Sequence, residues 1–174
     1  KDIVLKRQKE IFLRQEKFAQ KHDLPLVIHT RDEKKNPDGS FGMSAHDELI
    51  KILKEIENPR GVVHCYTSDW EHAKQYLDLG LYLGFTGVIT FPAKKTDPKP
   101  QEDLLEVVRK CPLDRILVET DAPYLAPQKY RGKKCEPWMV EEVIKKIAEI
   151  RQKDYKTIKN QVFLNTKELF TRIN

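Results

Sequence analysis

Apolar positions along the chain alternate between two spacings. In residues 1–21, Val4, Ile11 and Phe18, with Phe12 and Ala19 beside them, mark one side of a helix of several turns. Residues 24–29, LPLVIH, form instead a short β-branched run without charge, as expected of a strand covered on both faces. The same pair of spacings then recurs. Ser44 and Asp47 head AHDELIKILKEI with the spacing of a capping box, and Leu49, Ile50, Leu53 and Ile56 give that helix its inner face. GVVHCY, residues 61–66, predicts a second strand, DWEHAKQYLDL a helix stopped at Gly80, and LYLGFTGVIT a third strand. QEDLLEVVRK predicts the next helix and RILVET the fourth strand. Pro137 opens the helix PWMVEEVIKKIAEI, and a last helix runs roughly over 156–172. The polar stretch KKNPDGSFG, residues 34–42, reads as an exposed loop.

Strands at intervals of about 25 to 35 residues with helices between them predict right-handed βαβ units and a parallel sheet. Two architectures satisfy that pattern, an open doubly wound sheet and part of a (β/α)8 barrel. No GxGxxG or GxxxxGK[ST] follows any of the strands, which takes away the main support for a nucleotide-binding open sheet. A complete barrel needs eight strands and about 250 residues. The sequence offers four strands in 174 residues, read as a single domain over 1–174.

Composition narrows the class. With 34% charged and 39% hydrophobic residues the chain has the make-up of a soluble globular protein. Its longest apolar stretch, LYLGFTGVITF, falls well short of the roughly 20 residues that span a bilayer, so no membrane partner is expected. The charged first residues contain no apolar segment of the secretory type, and a cytoplasmic location is the expectation. Cys65, Cys111 and Cys135 form no CxxC pair, which argues for reduced thiols over a disulfide framework or a thiolate zinc site. The net charge of +5 suits a polyanionic partner and ordinary solvated charge equally.

The candidate chemistry lies where the apolar runs stop. The first strand ends in His29, the second in His64 and the fourth in Thr120-Asp121. The carboxyl ends of parallel strands are where active sites of α/β proteins assemble, so two imidazoles and a carboxylate are candidates to converge there on a divalent ion such as Zn, Mn or Fe, with Mg favouring more oxygen. Such an ion acidifies water, and Asp121 is placed to take its proton. Taken singly, each residue has a plainer reading: a strand-end histidine as a hydrogen-bonded structural group, Asp121 as a turn cap. His22, His46 and His72 lie among helical charges and are expected at the solvated surface. Alternation along the strand is expected to turn Cys65 away from His64, toward the helices.

LPLVIHTRD, GVVHCYTS, LGLYLGFTGVITF, RILVETDAPYLAP, YRGKKCEP and NTKELF, in this order and spacing, resemble the motif series of the TatD family of metal-dependent deoxyribonucleases, within the amidohydrolase-type barrels. The resemblance runs nearly end to end and is most specific at ETDAPYLAP followed by YRGK. It implies a (β/α)8 TIM-type barrel of which this chain carries about the last four β/α units, lacking the first four strands. His29, His64 and Asp121 match metal ligands, one or two divalent ions (Mg, Mn or Zn) are implied, and the implied reaction is hydrolysis of phosphodiester bonds in DNA, single-stranded or at ends, with Asp121 as the catalytic residue. Arg31 and the Arg131 of YRGK are expected on the same rim as phosphate-binding residues, and Tyr66, Phe91, Tyr124 and Trp138 as neighbours that either stack on bases or pack.

The sequence also departs from the family. The family's first-strand HxH and fourth-strand glutamate have no match here, Cys135 stands where Asn is common, Ser68 where Gly is common, and the 34–42 loop is enlarged. Two expectations follow: a piece of a longer protein whose upstream half supplies the missing ligands, or a half barrel completed by a second chain. The first is favoured, and the Lys1 start agrees with it. Beside the nuclease reading stand a metal-dependent amide, ester or lactone hydrolase of the same barrel class and an inactive half-barrel binding module.

Overall fold

In the computed structural model of the chain, residues 2–32 and 44–172 are described. The loop expected at 34–42 lies outside them.

Each apolar run forms a short strand, β1 (Leu26–His29), β2 (Gly61–His64), β3 (Tyr82–Phe85) and β4 (Ile116–Val118), but of the expected third strand only Tyr82–Phe85 is extended and Gly87–Thr90 turns into a 3-10 helix. All pair in parallel in the order β1-β2-β3-β4, with His29 level with His64 and Phe85 level with Val118. Spatial order thus follows chain order. A doubly wound sheet turns back on itself at its switch point, whereas an arc of barrel does not, so the observed order favours the barrel. Strand pairing is tight at the amino end of β2, where a Cβ on Gly61 would sit 2.4 Å from the Leu26 carbonyl oxygen.

Among the described residues six α-helices precede, alternate with or follow the strands: α1 (Asp2–Lys21), α2 (Ala45–Lys54), α3 (Trp70–Asp78), α4 (Lys99–Lys110), α5 (Val140–Arg151) and α6 (Tyr155–Leu169). Because neighbouring strand residues point to opposite faces, Ile28, Val63, Leu83, Phe85 and Ile116 meet the helices. There they pack with Leu53, Tyr76, Val107, Ile147 and Ile158 in the main core. Each such aliphatic or phenyl group buried contributes about 1.5–3 kcal/mol. The other face carries a smaller cluster of Val62, Tyr82 and Leu117 with Leu169. On that same face Val27 of β1 remains 60% exposed.

The helix starts follow the sequence, with refinements. Ser44 caps α2 by accepting the Asp47 N–H, but Asp47 does not complete the box. Asp32 does more of that work, its Oδ1 accepting from Ala45 N at 2.7 Å and from His46 N at 3.3 Å. Pro137 lies in a 3-10 turn (Pro137–Met139) leading into α5. For α1, the helix forms where expected but with a different side buried. Val4, Ile11 and Phe18 are 46–59% exposed, and the inward side is Phe12, Glu16 and Ala19. Seven-residue spacing lines up a stripe without saying which neighbour it meets, and among the described residues none covers it.

α6 is tied to the sheet by a buried amide. Asn165, fully buried, donates through Nδ2 to the carbonyls of Leu113 and Ile116 at 2.7 and 2.8 Å and accepts from Gln161 Nε2. The asparagine of NTKELF therefore holds the entry of β4. No described helix is long and apolar enough to cross a membrane.

Candidate metal centre

All three expected donors sit at the carboxyl edge of the sheet. His29 and His64 end adjacent strands in register, and their ring centres are 6.1 Å apart at 42°. Asp121 lies three residues beyond β4, its Oδ1 3.5 Å from His64 Nε2.

A residue not singled out in the sequence organises this edge. β4 pairing continues one residue past its end, with Glu119 N–H donating to the Phe85 carbonyl at 3.0 Å. Glu119 and Asp121, two apart, can therefore address the same side. The Glu119 carboxylate lies 2.9 Å from His64 Nδ1 and also accepts the Cys65 N–H at 2.6 Å. It occupies space left by Gly84, where a Cβ would come within 2.5 Å of Glu119 Oε1. The signal available in the sequence was the two-residue spacing of ETD; the space at Gly84, on another strand, was not readable.

His64 stands between two carboxylates, Nδ1 toward Glu119 and Nε2 toward Asp121. A neutral ring that donates Nδ1–H to Glu119 sets its Nε2 acceptor against the Asp121 Oδ1 acceptor. A shared cation resolves such a juxtaposition, and a carboxylate behind a metal-binding imidazole is its usual orienting partner. The closure is incomplete. Metal–nitrogen bonds of about 2.0–2.1 Å would bring two ring centres on one tetrahedral ion to roughly 5 Å, somewhat closer than observed. Among the described residues, no three His, Cys, Asp or Glu side chains are grouped so as to hold an ion. The donors suit a divalent ion in chemistry, and His29, His64 and Asp121 share one edge of the sheet without being grouped closely enough to enclose it.

The basic candidates are both exposed. Arg31 follows β1 closely enough for its charge to act on the Cys65 thiol. Arg131 lies with its guanidinium 4.3 Å from the centre of the Phe91 ring, a cation–π contact that restrains it on the rim. Of the aromatic candidates, Tyr66 is buried and donates to the Asp69 carbonyl at 2.5 Å, whereas Tyr124 and Trp138 are 70% and 52% exposed.

Three other expectations need correction or refinement. Cys65 does not enter the helix layer: β2 ends at His64, the backbone turns left-handed at Cys65 (φ 49°), and its Sγ lies 3.3 Å from Thr86 Oγ1. Alternation stops with the strand. His46 is buried, not solvated, its Nδ1 3.1 Å from the Tyr76 hydroxyl, and burial pushes its pKa down. His72 is mostly enclosed between Asp69 and Asp47, at 3.0 and 3.2 Å. The cysteines are free thiols; burial raises all three and takes Cys111 up to about 12, which disfavours a thiolate nucleophile.

A family model described as TatD related DNase matches residues 1–171. The chain belongs to the TatD family. Its relatives include the uncharacterized metal-dependent hydrolase YabD of Bacillus subtilis (strain 168), 38% identical over 169 residues, which cover 96% of this chain and 58% of YabD. YcfH of Escherichia coli (strain K12), described in the same words, is 37% identical over 147 residues, 83% of this chain and 48% of YcfH. The crystal structure of YjjV, a TatD homolog from Escherichia coli K12, matches with a TM-score of 0.78 at 29% identity, over 97% of this chain and 58% of that one. This TatD chain thus spans about half the length of the relatives it matches. Together with the strand order, the likeness makes the α/β arc a portion of a TIM-type barrel.

Proposed function

We propose that this TatD chain is the working edge of a metal-dependent phosphodiesterase that cleaves DNA, single-stranded or at strand ends, in the cytoplasm. The observation that supports this most directly is His64 Nε2 set 3.5 Å from Asp121 Oδ1 while Nδ1 lies 2.9 Å from the Glu119 carboxylate, with His29 level with His64 on the neighbouring strand. His29, His64 and Asp121 would hold one or two divalent ions (Mg, Mn or Zn), with further donors from sequence upstream of this chain. When bound, the ion supplies Lewis acidity, lowering the pKa of water and drawing charge from a phosphoryl oxygen. Glu119 keeps the His64 ring in one orientation. Asp121 accepts a proton from the attacking water. Arg31 and Arg131 meet the non-bridging oxygens, which positions the backbone without reading sequence.

The test uses the natural full-length polypeptide and short single-stranded oligodeoxynucleotides. Cleavage is expected with Mg, Mn or Zn and abolished by chelator, and Asp121→Asn lowers kcat/KM by about 10²–10⁴-fold with the fold intact. Undiminished cleavage by that variant would remove Asp121 from the site. Turnover of lactones or esters, with DNA left uncut, would replace the phosphodiesterase by a carbonyl hydrolase built on the same donors.

A further inference from the structure

Immediately after Asp121 the chain turns through Ala122 and Pro123 and later returns along 134–137. The Cys135 N–H donates to the Pro123 carbonyl at 3.0 Å and joins the two segments. Between them lies an open cleft of about 490 Å³ lined by Ala122, Pro123, Lys134, Cys135, Glu136 and Pro137, within the roughly 300–1,000 Å³ of small-molecule sites. Its walls are mostly apolar, and its charged groups are the Lys134 ammonium and the Glu136 carboxylate, the latter engaged by the Trp138 indole.

Each bounding proline is followed by an exposed aromatic residue, Tyr124 after Pro123 and Trp138 after Pro137. Leaving large rings in water forgoes hydrophobic stabilisation, and the Trp138 ring is moreover held in place. Its indole N–H donates to Glu136 Oε2 at 2.6 Å, and Tyr130 meets it edge to face at 5.2 Å. An aromatic group restrained yet open loses little conformational freedom on stacking. Around it, residues 129–134 carry Lys129, Arg131, Lys133 and Lys134. Lys129 is engaged by Glu142, while Lys133 and Lys134 are exposed. A mostly apolar cleft, two exposed rings next in sequence to its prolines and a run of basic residues beside it together match an unpaired nucleobase with its phosphate.

We propose that this cleft is a base subsite: one unpaired base of the strand enters beside Pro123 and Pro137 and stacks on Trp138, while Lys134 takes the attached phosphate. The subsite rests on the DNA reading above and deepens it, because a slot that admits one unstacked base selects single strands and frayed ends over intact duplex.

The experiment is run on the natural full-length polypeptide with Trp138→Ala, Trp138→Phe and unsubstituted protein. Fluorescence anisotropy of a labelled single-stranded oligonucleotide in chelator reads binding, and steady-state cleavage with metal reads turnover. Trp138→Ala is expected to weaken binding and raise KM at least about fivefold, the scale of one lost base stack, with the loss carried by KM and largely restored in Trp138→Phe. A series of oligonucleotides with one abasic position moved along the strand locates the base. At that position unsubstituted protein loses the same factor, and Trp138→Ala loses nothing further. Equal affinity of Trp138→Ala and unsubstituted protein, or an undiminished Trp138→Ala penalty on every abasic strand, overturns the subsite. Binding that depends on Trp138 without any cleavage keeps the subsite and removes the nuclease reading. Absence of both removes both.

Discussion

Glycine 84 matters for what it leaves empty. A Cβ there would meet Glu119 Oε1 at 2.5 Å, and that carboxylate holds the His64 ring. Two substitutions should therefore converge on one phenotype. Glu119→Gln removes the charge that backs the imidazole, and Gly84→Ala displaces the carboxylate. Each is expected to weaken divalent-ion binding and turnover by about 10–100-fold in the full-length protein, as calorimetric titration with Mn or Zn and single-strand cleavage would measure. A variant pair with unchanged affinity would reduce Glu119 to a packing role. That His29, His64 and Asp121 share one edge of the sheet was legible in the sequence because apolar runs stop at or just before them. Glu119 was not, since its task depends on an absent side chain one strand away and on the left-handed turn at Cys65. His46 was misread for a similar reason: its neighbours in sequence are polar, but the Tyr76 hydroxyl and the Tyr66 ring that enclose it come from elsewhere in the chain.

Between α2 and α3 the buried His46 acts as a titratable seam. Burial lowers its pKa from the ordinary 6.5, outweighing the opposing pull of the Asp32 carboxylate, and the nearby His72 lowers it further. Protonation is thus easier in the unfolded chain than in the folded one. The sign follows: stability is full above about pH 6.5 and declines as pH falls through that value, since the unfolded state then takes up the proton first. Urea midpoints measured from about pH 8 down to about pH 5 should show this decline, and His46→Gln should flatten it; equal slopes in both proteins would place the titration elsewhere. At the same scale, periodicity gave the helices and β-branching the strands, because both reflect local chain geometry. Which side of a helix becomes interior is a tertiary matter, as the exposed Val4, Ile11 and Phe18 of α1 demonstrate.

Among the described residues four strands form an arc whose outer members, β1 and β4, each pair on one side only. Val27 of β1 and the α1 stripe of Val4, Ile11 and Phe18 are apolar and largely open to water. A surface of this kind favours self-association. The 174-residue chain is expected to run as oligomers in size-exclusion chromatography with light scattering and to bind a hydrophobe-sensing dye. The same chain extended upstream to the length of its relatives should do neither. Identical behaviour of the two would mean that the upstream sequence does not cover this side. The arc was legible because consecutive β/α units imply neighbouring strands, whereas the donors that would close the ion site cannot be read from residues absent from the chain. One tie acts over the full height of the molecule. Asn165 grips the point where β4 begins, and β4 delivers Glu119 and Asp121 at its other end. The terminal helix thereby works as a tensioner: clip it away, and two acids it never approaches would lose their aim.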